Sequence, residues 1–130
     1  MPRMTPHDCL SAEIAVWCFK WLPDHTFATC IAHGARHPGM AMHLKRLGTE
    51  SGVPDWLIVY EGRVLFIELK TGKADLSTEQ RKTRARLNAS GAVVEIAHSI
   101  GEFIDIIARR RIPLLHQSRR DPMDDGVPEF

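Results

Sequence analysis

The amino-acid sequence predicts an α/β domain of three layers, with helices on both faces of a mixed β-sheet. At its centre is a predicted antiparallel hairpin, in which two apolar runs, 56–60 and 64–69, flank Glu61-Gly62. Both faces of this hairpin are apolar, so each face needs a covering layer. A helix and a further strand follow it, an order that favours a right-handed parallel crossover.

The first predicted helix begins at Thr5 and Pro6, since Thr is a good N-cap and Pro suits the first helical position. Apolar residues recur at helical spacing until a proline ends the pattern. They are Leu10, Ile14, Trp17 and Trp21. A strand is predicted over residues 26–32, followed by a short helix over 40–47 that Gly48 closes.

Two more helices are predicted from their capping signals. Ser77 and Gln80 have the spacing of a capping box and open the first of them. Ser99 and Glu102 repeat that spacing ahead of a second, amphipathic helix. Between the two helices, the apolar run 92–97 predicts the last strand.

Length and composition are those of one ordinary globular domain: 130 residues, of which 44% are hydrophobic and 25% charged. We expect a single domain over residues 1–115 and a mobile tail over 116–130, because the last residues are polar and contain proline. No apolar run approaches the roughly 20 residues of a membrane span. The N-terminus lacks the apolar core of a signal peptide, so a cytoplasmic protein without a membrane partner is expected.

The cysteines favour buried reduced thiols over a disulfide framework, because their number is odd and no CxxC spacing occurs. They are Cys9, Cys18 and Cys30. Cys30, His33 and His37 resemble half of a zinc site, but no convincing thiol partner follows them. Reduced thiols are therefore favoured over a zinc ion.

Basic residues are concentrated rather than abundant, since the formal net charge is only +1. One basic group follows the hairpin, a second lies within residues 109–120, and an acidic C-terminal segment offsets both in the total. The first group comprises Lys70, Lys73, Arg81, Lys82, Arg84 and Arg86. A local basic face of this kind can bind phosphate groups although the whole chain is nearly neutral.

The register of the hairpin brings two carboxylates together. With the turn centred between Glu61 and Gly62, Asp55 lies opposite Glu68 at the open end of the hairpin. Directly opposed residues have Cβ atoms about 5 Å apart, where like charges repel. A divalent cation would relieve this repulsion, because magnesium commonly binds one or two protein carboxylates together with water and phosphate.

Lys70 lies on the same face of its strand as Glu68, since side chains alternate along a strand. The predicted site therefore holds two acids and one base, with the main-chain carbonyl of Leu69 between them. Each part also has a plainer interpretation: a Glu-x-Lys pair is usually a solvated salt bridge, and an Asp before a strand is usually a turn residue. The apolar surroundings of Glu68 favour the metal site, because a buried charge is unfavourable unless it is paired or metal-bound.

Three sequence blocks resemble the VRR-NUC branch of the PD-(D/E)xK nucleases. They are Ser51-Gly-Val-Pro-Asp55, Phe66-Ile-Glu-Leu-Lys-Thr-Gly-Lys73 and Leu76-Ser-Thr-Glu-Gln80. The short pattern of Pro-Asp followed by Glu-x-Lys is weakly specific, whereas the three linked blocks are strongly specific. The resemblance implies a restriction-endonuclease-like αβββαβ core and metal-dependent nuclease activity.

The same resemblance implies roles for individual residues. The catalytic group would be Asp55, Glu68, Lys70 and Gln80. The ligands of Mg²⁺ or Mn²⁺ would be Asp55, Glu68, the carbonyl of Leu69 and Glu13. Glu13 is included because a first-helix glutamate commonly joins the metal site in this family; the alternative is a solvated acid at the helix edge. Gln80 has a second interpretation as a helix cap.

The remaining expectations concern the substrate. The DNA contacts would come from His33, Lys45, Arg46, Lys73, Arg81 and Arg84. His33 departs from the family, where an asparagine is expected, and Lys45 and Arg46 equally suit a solvated helix face. Stand-alone members are thought to cut Holliday junctions as homodimers, whereas a larger relative favours flaps.

The function implied is therefore that of a structure-specific endonuclease for branched DNA, acting in repair or recombination as a homodimer. A flap or restriction-type nuclease of the same fold, or a catalytically silent DNA-binding module, are the alternatives. No small-molecule cofactor is expected.

Overall fold

The protein, described by a computed structural model over residues 3–31 and 38–120, has the α/β architecture that the sequence predicts. Its elements are α1 (Pro6–Trp21), β1 (Phe27–Cys30), α2 (Pro38–Arg46), β2 (Trp56–Tyr60), β3 (Arg63–Leu69), α3 (Thr78–Ala89), β4 (Val93–Ala97) and α4 (Ile100–Arg109). None of the described helices combines the length and apolar character needed to cross a membrane.

The four strands form one mixed sheet in the order β1-β2-β3-β4. β1 and β3 each pair antiparallel with β2, while β4 pairs parallel with β3. In the hairpin Ile58 pairs with Leu65 and Tyr60 with Arg63, which confirms the predicted register. Glu61 and Gly62 both have positive φ, 46° and 78°, as the type I′ turn of a tight hairpin requires.

One face of the sheet carries the core, beneath α1 and α4. Ile58, Ile67 and Leu69 of the sheet are almost fully buried there, together with Ile14 of α1 and Phe103 of α4. Burying an aliphatic or phenyl side chain of this size stabilises the fold by about 1.5–3 kcal/mol.

An edge-to-face contact joins the two helices of this layer. The rings of Trp17 in α1 and Phe103 in α4 meet with their centroids 5.7 Å apart. Such an aromatic pair adds about 0.5–1.5 kcal/mol beyond the area it buries. The contact fixes α1 against α4, and with it the direction in which the start of α1 points.

The opposite face has a thinner cover. α3 lies over β4, yet none of the residues of α3 is buried. Towards the other edge of the sheet, Phe27 is 58% exposed and Val64 is 36% exposed. The third layer is therefore present at the β4 side, next to the end of β3 that carries Glu68.

Reciprocal capping fixes the start of the two helices nearest the predicted site. The Thr5 hydroxyl accepts from the Asp8 amide, and the Asp8 carboxylate accepts from the Thr5 amide. Ser77 and Gln80 are paired in the same way at the start of α3. Both helix starts were predicted from the sequence and are confirmed.

At α4 only half of the predicted capping box forms. Ser99 accepts from the Glu102 amide, but the Glu102 carboxylate turns to His98, where it accepts from the main-chain N–H and contacts the ring. The histidine offers a charged or polar partner that the sequence pattern of a capping box does not anticipate.

The chain beyond α4 returns to the end of α1. The Leu115 amide donates to the Trp21 carbonyl, and the Arg119 guanidinium donates to the carbonyls of Phe19 and Leu22. These bonds satisfy orphan carbonyls at the C-terminus of α1. Of the predicted tail, Arg119 thus contacts the end of α1, and residues 121–130 lie outside the described part of the chain.

Candidate active site

Asp55 and Glu68 lie side by side at the open end of the β2–β3 hairpin. Both are buried, with 8% and 4% of their surface exposed. The Asp55 amide donates to the Ile67 carbonyl at 3.0 Å, next to the last register pair of the hairpin, Trp56 and Ile67. The Leu69 amide in turn donates to Asp55 Oδ2 at 2.8 Å. These two hydrogen bonds hold Asp55 beside the end of β3 that carries Glu68.

The two carboxylates interact strongly with each other. Burial, and after it a hydrogen bond and the charge of Asp55, raise the pKa of Glu68 from its ordinary 4.5 to about 9, against the lowering effect of Lys70. Two adjacent carboxylates thus keep a proton between them when no cation is bound. Carboxylate oxygens are the donors that Mg²⁺ and Mn²⁺ prefer, so the donor set fits such an ion.

Further donors lie next to the pair in the main chain. The amide of Leu69 points to Asp55, and in an extended strand the carbonyl of the same residue points to the same side. Within residues 3–31 and 38–120, no three His, Cys, Asp or Glu side chains already surround one point. A cation here would therefore draw part of its shell from the main chain and from water, as Mg²⁺ commonly does.

Gln80 joins the start of α3 to Glu68. Its Oε1 accepts from the Ser77 amide at 2.8 Å, while its Nε2 donates to Glu68 Oε1 at 3.1 Å. One side chain thus caps the helix and contacts the carboxylate, so the two interpretations of Gln80, helix cap and neighbour of the site, are compatible. The amide donor also favours a defined orientation of Glu68.

Gly52 allows α3 to approach the loop that carries Asp55. A Cβ atom at Gly52 would lie 2.4 Å from the Glu79 carbonyl oxygen and 2.7 Å from the Gln80 nitrogen. The Thr83 hydroxyl adds a 2.6 Å hydrogen bond to the Ser51 carbonyl. Only glycine permits this contact, and its φ of +74° independently favours glycine. The contact sets the distance from Gln80 to Glu68.

Lys70 lies directly after β3, partly exposed, and its amide donates to the Ala97 carbonyl of β4. Its ammonium is close enough to lower the pKa of both Glu68 and Asp75. The predicted grouping of two acids and one base at one end of β3 is therefore present in the structure.

The other predicted metal ligand, Glu13, is exposed on α1. Among the predicted DNA contacts, His33 lies outside the described residues. Lys45 and Arg46 are exposed in the last turn of α2, a helix without packing against the other described helices or strands.

The basic residues after the hairpin are partly used in ion pairs. Arg81 contacts Asp75 at 2.7 Å, and the same guanidinium donates to the Leu76 carbonyl. Lys73 is exposed in the loop that follows β3, and Arg84 is half-buried on α3. Lys73 is therefore the predicted DNA-contacting residue that lies nearest in sequence to the carboxylates, three positions after Lys70.

The second basic group serves the fold. Arg109 and Arg110 both contact Glu95 of β4, and Arg63 donates to the carbonyls of Arg110 and Arg111. Burial raises the pKa of Glu95, but the hydrogen bonds and charges of the two arginines outweigh it and leave the pKa lowered. These arginines bind Glu95 and the carbonyls at the end of α4, so they are engaged in contacts within the fold.

His7 is the residue that the sequence argument missed. Its Nε2 lies 3.3 Å from Asp55 Oδ1, and its side chain is 42% exposed. A signal was present, because His7 precedes Leu10 by three residues and so continues the apolar stripe of α1 towards the sheet. The first helix therefore contributes a histidine to the site.

A separate groove of about 890 Å³ runs between α1 and the edge strand β1. Its lining includes Ser11, Cys18, Ala28 and Trp56, but none of Asp55, Glu68 and Lys70. The carboxylate pair thus lies apart from this groove.

Comparison with known proteins adds the fold relationship. No protein-family model matches the sequence, and no curated protein sequence matches it. A solved structure described as a VRR_NUC domain protein is similar, with a TM-score of 0.63 and 20% sequence identity. The match covers 82% of this chain and 88% of the other. The VRR-NUC-like architecture expected from the sequence is thus confirmed: this chain has the fold of a VRR_NUC domain protein.

Proposed function

We propose that the protein is a metal-dependent endonuclease that hydrolyses phosphodiester bonds in DNA. The observation that carries the proposal is the buried Asp55–Glu68 pair with Lys70 beside it at the end of β3. Two buried acids without a cation destabilise a fold, so a bound cation explains the pair better than packing does. A nuclease fold in the similar VRR_NUC domain protein supports the same conclusion.

Each of the three residues would have a distinct task. Asp55 and Glu68, with the Leu69 carbonyl, would bind Mg²⁺ or Mn²⁺. Such an ion supplies a water nucleophile of lowered pKa and offsets charge on the phosphate. The Lys70 ammonium would stabilise the negative charge that develops on the phosphate oxygens in the transition state. Gln80 would keep Glu68 turned towards the ion through the 3.1 Å hydrogen bond.

The DNA backbone would approach from the side of Lys73 and the basic residues of α3. Lys73 is exposed and close in sequence to Lys70, so it can contact a phosphate next to the one that is cut. Contacts of this kind are independent of base sequence and weaken with salt. A structure-specific substrate therefore suits this site better than a sequence-specific one.

Branched DNA, and the Holliday junction first, is the substrate that we propose. The described part of the chain carries one buried pair of carboxylates. A junction is resolved by two symmetric cuts, so a twofold homodimer would supply both. The sequence blocks around Asp55, Glu68 and Gln80 support this choice through their resemblance to stand-alone junction-cutting nucleases.

The test combines metal, substrate and oligomeric state. Purified protein is incubated with a mobile four-way junction, a flap and a linear duplex, each with Mg²⁺, Mn²⁺ or EDTA. We expect metal-dependent, paired cuts in the junction and a dimer in sedimentation at micromolar concentration. Asp55→Asn, which keeps the side-chain size, is expected to abolish the cuts.

Other outcomes distinguish the alternatives. Binding of junction DNA without cleavage under every metal condition would identify a silent DNA-binding module. Cleavage of flaps by a monomer, with junctions untouched, would contradict the junction and dimer proposals while leaving the metal site in place. Cleavage that persists in EDTA and in Asp55→Asn would contradict the proposed site itself.

A further inference from the structure

We propose that His7 is a ligand of the metal ion, which makes the centre a mixed oxygen and nitrogen site that favours transition-metal ions such as Mn²⁺ over Mg²⁺. The inference rests on the proposed metal-dependent function, and it adds a ligand and a metal preference to it. It also means that α1 contributes His7, and not Glu13, to the metal centre.

The position of His7 is set by the start of α1. Thr5 and Asp8 cap each other, so the first turn that carries His7 is a fixed part of the helix. Leu10 and Ile14, three and seven residues later, are buried on the same face of α1. The His7 side chain thus lies on the face of α1 that packs on the sheet, at the end where Asp55 lies. Glu13 lies six residues further along, about 9 Å along the helix axis.

The distance between His7 and Asp55 suits two ligands of one ion. Nε2 and Oδ1 lie 3.3 Å apart, whereas a charge-assisted N–H···O bond is typically about 2.7–2.9 Å long. Neighbouring ligands of an octahedral ion, each about 2.1 Å from it, are about 3.0 Å apart. Since Asp55 Oδ2 accepts the Leu69 amide, Oδ1 is the oxygen turned towards the histidine.

Among the described residues, the donor side chains do not surround a common centre, and the contact between Glu68 and Asp55 gives a reason. Glu68 is drawn to Asp55 by a shared hydrogen bond, which a cation would replace. The His7 ring is 42% exposed and can turn within its first-turn position as the ion enters. The completed shell would contain two carboxylates, one imidazole, the Leu69 carbonyl and water.

A nitrogen ligand alters the choice of metal. Mg²⁺ takes oxygen ligands in a nearly ideal octahedron, whereas imidazole is a common ligand of divalent transition-metal ions. Replacing the imidazole should therefore weaken the binding of Mn²⁺ more than that of Mg²⁺.

The test uses Mn²⁺ alone, without DNA. Pulsed electron paramagnetic resonance of the Mn²⁺-loaded full chain detects ¹⁴N coupling from a bound imidazole, and calorimetry gives the affinities for Mn²⁺ and Mg²⁺. The variants are His7→Ala and His7→Gln, with His98→Ala as a matched control, since His98 also contacts a carboxylate, Glu102, away from the site. His33 and His37 lie outside the described residues. The His7 variants therefore show whether the ¹⁴N coupling comes from His7 or from another histidine.

We expect ¹⁴N coupling in the wild type and in His98→Ala, and its loss in both His7 variants. The Mn²⁺ affinity should fall at least tenfold in both His7 variants, with a smaller change for Mg²⁺. Mn²⁺ binding that needs Asp55 and Glu68 but shows no coupling lost with His7 would overturn this inference and leave the proposed function intact. Absence of Mn²⁺ binding in the wild type would overturn both. His7→Gln retains a polar side chain at the helix start. A variant whose circular dichroism matches that of the wild type is folded, so its metal affinity can be compared with that of the wild type.

Discussion

The side-chain amide of Gln80 donates to Glu68 Oε1 at 3.1 Å while its oxygen caps α3 by accepting the Ser77 amide. The two halves of the capping box therefore differ in what they touch. Ser77 acts on the helix alone, whereas Gln80 acts on the helix and on the carboxylate. This difference allows the capping role and the site role to be measured separately.

Gln80→Ala and Ser77→Ala form a matched pair. Each removes one side of the same cap and should lower the free energy of unfolding by about 1 kcal/mol. Only Gln80→Ala should also weaken Mn²⁺ binding, because it releases Glu68 from its fixed orientation. Urea denaturation and calorimetry measure the two effects. Equal metal affinities in the two variants would show that Gln80 is a cap and nothing more.

Gly52→Ala should disturb the site through the main chain. Its Cβ would lie 2.4 Å from the Glu79 oxygen and would force α3, with Gln80, away from Glu68. Gly62→Ala is the matched control, because Gly62 has a similar φ of +78° but nothing within 4 Å of the added atom. The control should lose about 1–2 kcal/mol, the usual penalty of left-handed backbone.

Gly52→Ala should lose clearly more stability than Gly62→Ala in the same urea denaturation. Its Mn²⁺ affinity should fall as well, whereas that of Gly62→Ala should stay at the wild-type level. If both variants lose the same stability and keep metal affinity, the close approach to α3 does not set the position of Gln80.

The stability of the metal-free protein should fall as pH rises. Because the pKa of Glu68 is raised to about 9 in the fold, Glu68 is protonated there but ionised in the unfolded chain between pH 4.5 and that value. Folding then takes up a proton, so its stabilising effect is complete at low pH and is lost towards alkaline pH. The loss is on the order of a few kcal/mol, since one pKa unit corresponds to about 1.4 kcal/mol.

Urea denaturation in EDTA at pH 5.5 and 8.5 measures this slope. Glu68→Gln, an uncharged analogue of the protonated acid, should lose much of the pH dependence and be more stable than the wild type at pH 8.5. The exposed Glu79, changed to Gln, is the control and should retain the wild-type slope. Parallel slopes in the wild type and Glu68→Gln would mean that Glu68 is ionised in the fold.

Lys70→Ala should abolish most turnover and leave the fold intact. Lys70 is partly exposed at the end of β3, so truncation removes little packing, but it removes charge next to Glu68. Loss of a group that stabilises transition-state charge typically lowers kcat by about 10²–10³-fold. Single-turnover cleavage of a four-way junction and circular dichroism are the measurements.

Lys73→Ala provides the contrast, since Lys73 is exposed and three residues away from Lys70. It should raise KM and reduce the salt dependence of DNA binding, with turnover at saturation close to that of the wild type. Normal turnover in Lys70→Ala would identify Lys70 as a salt-bridge partner of Glu68 without a catalytic role.

The sequence by itself determined the features that depend on short-range rules. Thr5 and Ser77 predict helix starts because capping involves residues three apart. Glu61-Gly62 predicts the hairpin because the turn sets its register. The proximity of Asp55 and Glu68 then follows by counting along two strands, without knowledge of any other contact. This is why the centre of the candidate site could be predicted.

Tertiary structure alone decided which other side chains reach that centre. His7 contacts Asp55, because the rotation of α1 about its axis is set by packing of Ile14 and Trp17 on the sheet and α4. Arg119 binds carbonyls about a hundred residues earlier in the chain, a contact that no local pattern encodes. Charge and periodicity show which residues can interact, but the orientation of packed elements selects the partners.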